Sequence, residues 1–201
     1  VIRYTFTIIL LLLIANIAQQ FIPILTGFSN ARVLLIPLVF LCAAVTVNYS
    51  SMLLLAFLCG FLWDAQNTLG PHGGDPSVYE RPLASLVFGY SIVLYALMGF
   101  LMQGIQPLFR QGKWHLSALL SGVAIFLYLL AEFLLINFVR GEFVFPAATR
   151  FQILFSSVLT MIFSPLIFAI LFKLAKLTSH TIRYDGLKEN RSRRFVLHNL
   201  S

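Results

Sequence analysis

Five stretches of this chain, Tyr4 to Ala31, Val33 to Trp63, Pro82 to Phe109, Trp114 to Ala131 and Phe151 to Phe172, carry no charged side chain. No other feature restricts the fold so tightly. A helix crossing a bilayer satisfies its own backbone where water is absent, and needs about 20 mostly apolar residues to do so. With 59% hydrophobic and only 10% charged residues, the chain lies far from the roughly 25% charge of soluble domains. An ordinary water-soluble fold is excluded. The expectation is an all-α integral membrane protein of about six closely spaced transmembrane helices.

The run from Val33 to Trp63 holds 31 residues. As one straight helix it would be about 46 Å long at a rise of about 1.5 Å per residue, against a hydrocarbon core of about 30 Å. Asn48, Tyr49, Ser50 and Ser51 offer a polar turn near its middle. The pattern therefore predicts two short helices, Val33 to Val47 and Ser51 to Trp63, with a single tilted or broken helix as the alternative. Around them the pattern predicts helices over Tyr4 to Leu25, Pro82 to Gln106, Leu116 to Val139 and Arg150 to Ala175. Pro165 should kink the last of these, because it removes a backbone donor and crowds the preceding turn.

The first segment is longer than a secretory h-region and shows no clear small-residue cleavage site, so it is expected to be a retained helix. Gly70, Pro71, Gly73, Gly74 and Pro76 break any helix in the loop from Asp64 to Arg81. The chain divides into a transmembrane domain, 1–177, and a basic cytoplasmic tail, 178–201.

A net charge of +7 would suit nucleic acid on a soluble surface, but here the basic residues flank apolar runs. With six helices and both termini inside, Arg3, Arg110, Lys113, Lys173, Lys176, Arg183, Lys188, Arg191, Arg193 and Arg194 are cytoplasmic. Only Arg32, Arg81, Arg140 and Arg150 lie outside. This is the positive-inside bias. Merging the second and third helices leaves the totals unchanged, so charge alone does not choose five or six. Arg191, Arg193 and Arg194 in the tail either contact anionic lipid or simply fix orientation.

Glu132 stands out, since a carboxylate within an apolar span is costly. It can form an interhelical or partner contact, be passively buried, or handle an ion or proton; the first reading is preferred. Asp64 follows Trp63 at the expected end of the third helix, where it can reach water or organise the outer loop with Arg81. Asn16, Gln19 and Asn137 are further polar residues within apolar segments. His72, Asp75 and Glu80 match no metal-ligand spacing, and no metal or cofactor is expected. Ser156, Ser157 and Ser164 have no matching His or Lys in the span to activate them. Cys42 and Cys59 read as small packing residues.

Three segments together resemble the bacterial rod shape-determining MreD family. They are Gly60-Phe61-Leu62-Trp63-Asp64 leading to Thr68-Leu69-Gly70, Ala131-Glu132-Phe133-Leu134-Leu135-Ile136-Asn137, and Ser164-Pro165-Leu166-Ile167-Phe168 followed by Lys173. The glycine-rich loop and the basic tail are longer than that pattern. The resemblance implies a six-helix protein similar in fold to vitamin-binding transporter subunits, placed in the bacterial inner membrane. It implies a non-enzymatic scaffold that pairs with MreC and helps couple MreB filaments to the peptidoglycan polymerase RodA and its transpeptidase partner. Candidate partner-contact or structural polar residues are then Asp64, Arg81, Glu132, Asn137 and Asn16. A rival reading is the substrate-binding membrane subunit of a small-solute transporter, which would need Asn16, Gln19, Glu132 and Asn137 to converge on an enclosed cavity.

Overall fold

The structure is a computed structural model that describes residues 2–23, 31–68, 89–109, 114–140, 147–180 and 182. Six helices form among them: α1 (Ile2–Phe21), α2 (Leu35–Thr46), α3 (Tyr49–Thr68), α4 (Tyr90–Phe109), α5 (Trp114–Arg140) and α6 (Ala147–Leu177). The described residues contain no strand. Three helical segments, Ile2–Phe21, Ser117–Phe138 and Ala147–Leu177, are long and apolar enough to cross a membrane.

The 31-residue run is indeed divided. Its break falls at Val47 and Asn48, and α3 starts immediately after, at Tyr49. Other boundaries differ from expectation. α3 runs to Thr68 rather than ending at Trp63, and α4 passes through Pro107 to Phe109. Residues 82–88, the loop glycines and prolines, His72, Asp75, Glu80, Arg81, Arg110, Lys113 and the tail residues Arg183, Lys188, Arg191, Arg193 and Arg194 lie outside the described residues.

Consecutive helices alternate in direction, which brings both ends of the described chain to one end of the bundle. There Tyr4 near the start of α1 stacks on His180 just beyond α6, with ring centroids 4.3 Å apart. The opposite, far end gathers the close of α1, the start of α2, the close of α3 and the start of α4.

α2 is the centre. It packs against every other helix, and all its residues from Ile36 to Thr46 are buried. A helix apolar on all sides has no face to give to water. At 12 residues it is only about 18 Å long, too short to cross a hydrocarbon core of about 30 Å, and both of its ends are packed inside the bundle. Unpaired backbone groups there are expensive. The neighbouring helices supply the missing partners.

At the N-terminal end of α2, the N–H of Arg32 donates to Ser156 Oγ, that of Leu34 to Thr160 Oγ1 and that of Leu35 to Gln19 Oε1. Gln19 Nε2 also donates to the Val33 carbonyl at 3.0 Å. Pro37 sits in the first turn, where its missing N–H leaves one donor fewer to satisfy. At the C-terminal end every carbonyl from Ala43 to Val47 accepts a hydrogen bond. Gln103 Nε2 reaches the carbonyls of Ala44 and Val47 at 2.6 and 2.9 Å, and Gln106 Nε2 reaches Val45 at 2.6 Å. Thr46 Oγ1 and the Val47 N–H donate to Ala43, and His180 donates to Thr46.

In lipid, apolar side chains gain little by leaving one hydrocarbon surface for another, so close packing decides helix association. The α3–α4 contact is close enough to require glycine: a Cβ at Gly60 would stand 2.4 Å from the Ile92 Cα. Gly99 and Gly122 instead face the flexible thioethers of Met52 and Met161. Outward, Phe6, Leu10, Ile14 and Ile17 on α1, Val123 on α5 and Leu166 on α6 are exposed. Such continuous apolar faces are foreign to a soluble monomer.

α6 runs through Pro165 to Leu177 and ends in a Schellman turn. His180 N–H donates to the Ala175 carbonyl, Ser179 N–H donates to that of Lys176, and Ser179 has a φ of 51°. A left-handed backbone at a residue with a Cβ is strained, and glycine relieves it. Ser179 is exposed, so Ser179→Gly should raise the stability of the detergent-solubilised chain by about 0.5–1 kcal/mol. Thermal unfolding followed by circular dichroism checks this; an unchanged or lower midpoint contradicts it.

Candidate functional site at the far end of the bundle

The last turns of α3 tie three other helices together. Trp63 Nε1 donates to Glu132 Oε1 on α5 at 3.0 Å. Asp64 Oδ2 accepts from the Gly89 N–H at 2.7 Å, at the entry to α4. Gln66 Nε2 donates to Asn16 Oδ1 on α1.

Asp64 therefore does not sit at a helix end reaching into water. It lies one turn inside α3, 2% exposed. Its carboxylate holds the backbone where α4 begins, the end of a helix that attracts negative charge. Gly89 has a φ of 101°, a conformation that side chains disfavour, and so its N–H is aimed at the carboxylate by a turn that only glycine adopts easily. The alternative pairing with Arg81 falls outside the described residues.

Glu132 is partly buried. Asp64 and Arg32 are both close enough to act on it electrostatically. Its Trp63 partner is 5% exposed and meets Tyr128 edge to face, with centroids 6.3 Å apart. Tyr128 in turn lies 5.1 Å from Tyr95. The two tyrosine hydroxyls are buried and have no hydrogen-bond partner among the described residues. These rings pack edge-on and tilted against one another.

Each of the four residues that a solute site would require has a hydrogen-bond partner within the protein. Asn16 is bound by Gln66, Gln19 caps α2, Glu132 accepts from Trp63, and Asn137 donates back to the Phe133 carbonyl of its own helix. The serines are hydrogen-bonded as well. Ser156 caps α2, Ser157 donates to Leu154 and Ser164 pairs with Ser121. Among the described residues no three of His, Cys, Asp or Glu are placed to hold a metal ion.

Several residues of this framework escaped sequence reasoning, chiefly Gln66, Gln103, Gln106, Tyr95 and Tyr128. Gln103 and Gln106 did carry a signal, since two amides three residues apart share a helix face within an otherwise apolar run. The tyrosines carried none.

What the site can do chemically is cross-tie. Trp63→Phe keeps the ring and removes the donor, leaving the Glu132 oxygen without it, at a cost of about 1–3 kcal/mol. Glu132→Gln keeps an acceptor oxygen and should change stability by less than about 1 kcal/mol. A double-mutant cycle of Trp63→Phe with Glu132→Leu, read by thermal unfolding, should show the two losses to be non-additive. Simple additivity would mean that the bond contributes nothing.

The arrangement defines a helical bundle with at least three helices able to span a membrane, closed at its far end by a polar latch. Comparisons with known protein families, with curated proteins and with solved structures give no match.

Proposed function

We propose that the chain is a six-span scaffold of the bacterial rod-shape machinery, set in the cytoplasmic membrane with both termini inside. It binds an MreC-like protein and helps couple MreB filaments to peptidoglycan synthesis by RodA and its transpeptidase partner. The observation that carries the reading is the Trp63–Glu132 hydrogen bond. It joins the first two segments of the MreD resemblance, Gly60 to Asp64 and Ala131 to Asn137, across two helices far apart in the chain. Gly60 gives the first segment a physical role as well, by allowing α3 and α4 to touch.

The topology has its own support. The described chain ends share one end of the bundle, where Arg3, Lys173 and Lys176 lie, whereas Asp64 and Glu132 belong to the far end. Basic residues on the cytoplasmic side follow the positive-inside rule. On this reading the far end faces outward, and the latch shapes the surface that meets the MreC-like partner. The chain catalyses nothing.

The alternative, a substrate-binding subunit of a small-solute transporter, loses support because Asn16, Gln19, Glu132 and Asn137 are each engaged with protein groups. Affinity purification in mild detergent separates the two readings. Recovery of MreC-like and polymerase partners is expected; recovery of an energising ATPase module would overturn the scaffold reading.

A further inference from the structure

His180 lies where the chain leaves α6, yet it does not point away from the bundle. The Schellman turn, with its left-handed Ser179, turns the chain back. The imidazole then lies flat on the Tyr4 ring, 4.3 Å between centroids and 13° between planes. Its Nε2 is 3.3 Å from the Thr46 carbonyl; a carbonyl only accepts, so Nε2 carries the proton. Tyr4 completes the contact by donating to Thr46 Oγ1 at 2.9 Å, and Thr5 donates to Ser51 beside it. Ile182, two residues on, packs against the core. One side chain thus joins α1, the last turn of α2 and the start of the tail.

We propose that His180 is an acid-released clasp, holding the root of the basic tail against α1 and α2 while neutral and freeing it when protonated. The titratable groups on the elements that meet at this end are Arg3 and Tyr4 on α1, Cys42 on α2, Tyr49 on α3, and Lys173 and Lys176 on α6. No carboxylate of the described residues is among them, since Asp64 and Glu132 both stand at the far end. Among the described residues a proton added to His180 therefore finds no anionic partner at this end.

The Tyr4 face attracts an imidazolium. Burial opposes the charge and prevails, holding His180 below the usual histidine range although the Thr46 carbonyl raises it. A group whose value is lowered in the docked state contributes its full stabilisation above the free value of about 6.5, and loses it as pH falls through the docked value. The clasp is closed at neutral pH and opens in acid. Opening also leaves the Thr46 carbonyl without its donor, so the end of α2 registers the release. The bulk of the tail carries Arg183, Lys188, Arg191, Arg193 and Arg194, and its point of departure from the membrane surface is thereby made dependent on pH.

The test uses the full chain in nanodiscs with nitroxides at Ser50→Cys and Thr181→Cys; the native Cys42 and Cys59 are fully buried and escape labelling. Electron–electron double resonance should give one narrow distance population at about pH 8 and a distribution broadened at least about two-fold at about pH 5. His180→Phe keeps the stacked ring and cannot titrate, so it should stay narrow at both. A wild-type distribution that does not change with pH, or equal acid broadening in His180→Phe, would overturn the clasp.

Discussion

Gln103→Leu is expected to destabilise the bundle by about 2–6 kcal/mol, the sum of two buried carbonyls losing their donor at about 1–3 kcal/mol each. The leucine fills the space but offers nothing to Ala44 and Val47, whose oxygens take 2.6 and 2.9 Å bonds from the native amide. Gln103 and its two carbonyl partners are buried, so water has little access to soften the loss. Gln103→Glu makes the comparison sharper. An ionised carboxylate cannot donate to a carbonyl, so it should be at least as damaging as leucine. Thermal or denaturant unfolding in a fixed detergent measures both, and a Gln103→Leu loss below about 1 kcal/mol would remove Gln103 as a cap.

Gly60→Ala should be the most damaging single-methyl addition among the described helical glycines. Its Cβ would lie 2.4 Å from the Ile92 Cα and 2.6 Å from the Ile92 nitrogen, and backbone cannot swing aside as a side chain can. α3 and α4 must separate, which costs about 1–3 kcal/mol for ordinary overpacking and should reach the upper part of that range here. The same change at Gly122 meets the sulfur of Met161, which can rotate, and at Gly104 it meets nothing within 4 Å. Gly104→Ala should be neutral or stabilising by up to about 1 kcal/mol from helix propensity. The ordering Gly60, then Gly122, then Gly104 is the expectation, read from unfolding midpoints; a Gly60→Ala protein as stable as Gly104→Ala would contradict it.

The division of the Val33 to Trp63 run could be seen in advance, because a helix of that length overshoots a bilayer and a polar turn stood ready to break it. The burial of α2 on all sides could not. Its apolar sequence suits a lipid-facing helix equally well, and the residues that cap its ends, Gln19, Gln103, Gln106, Ser156 and Thr160, lie on helices distant in sequence. Glu132 is conspicuous in the sequence as a carboxylate in an apolar span, which favours an interhelical or partner contact without choosing between them; the Trp63 donor becomes visible only with α3 and α5 packed. Asp64 was misplaced because Trp63 resembled an interfacial anchor, although Ala65 and Gln66 continue the helix without a breaker. The start of the tail looked merely polar and basic. The inward turn at Ser179 leaves little trace in sequence, since glycine is the usual marker of that conformation.

The enclosure of α2 is the claim on which the caps and the clasp depend, and lipid-phase photolabelling tests it directly. A small apolar diazirine partitioned into proteoliposomes, activated by light and mapped by mass spectrometry, marks residues that face lipid. Insertion is expected on exposed positions such as Leu10 and Ile17 of α1, Val123 of α5 and Leu166 of α6. Residues 36–46 should remain unlabelled until the bundle is unfolded in denaturing detergent. Labelling spread along one face of α2 in the folded protein would contradict the account.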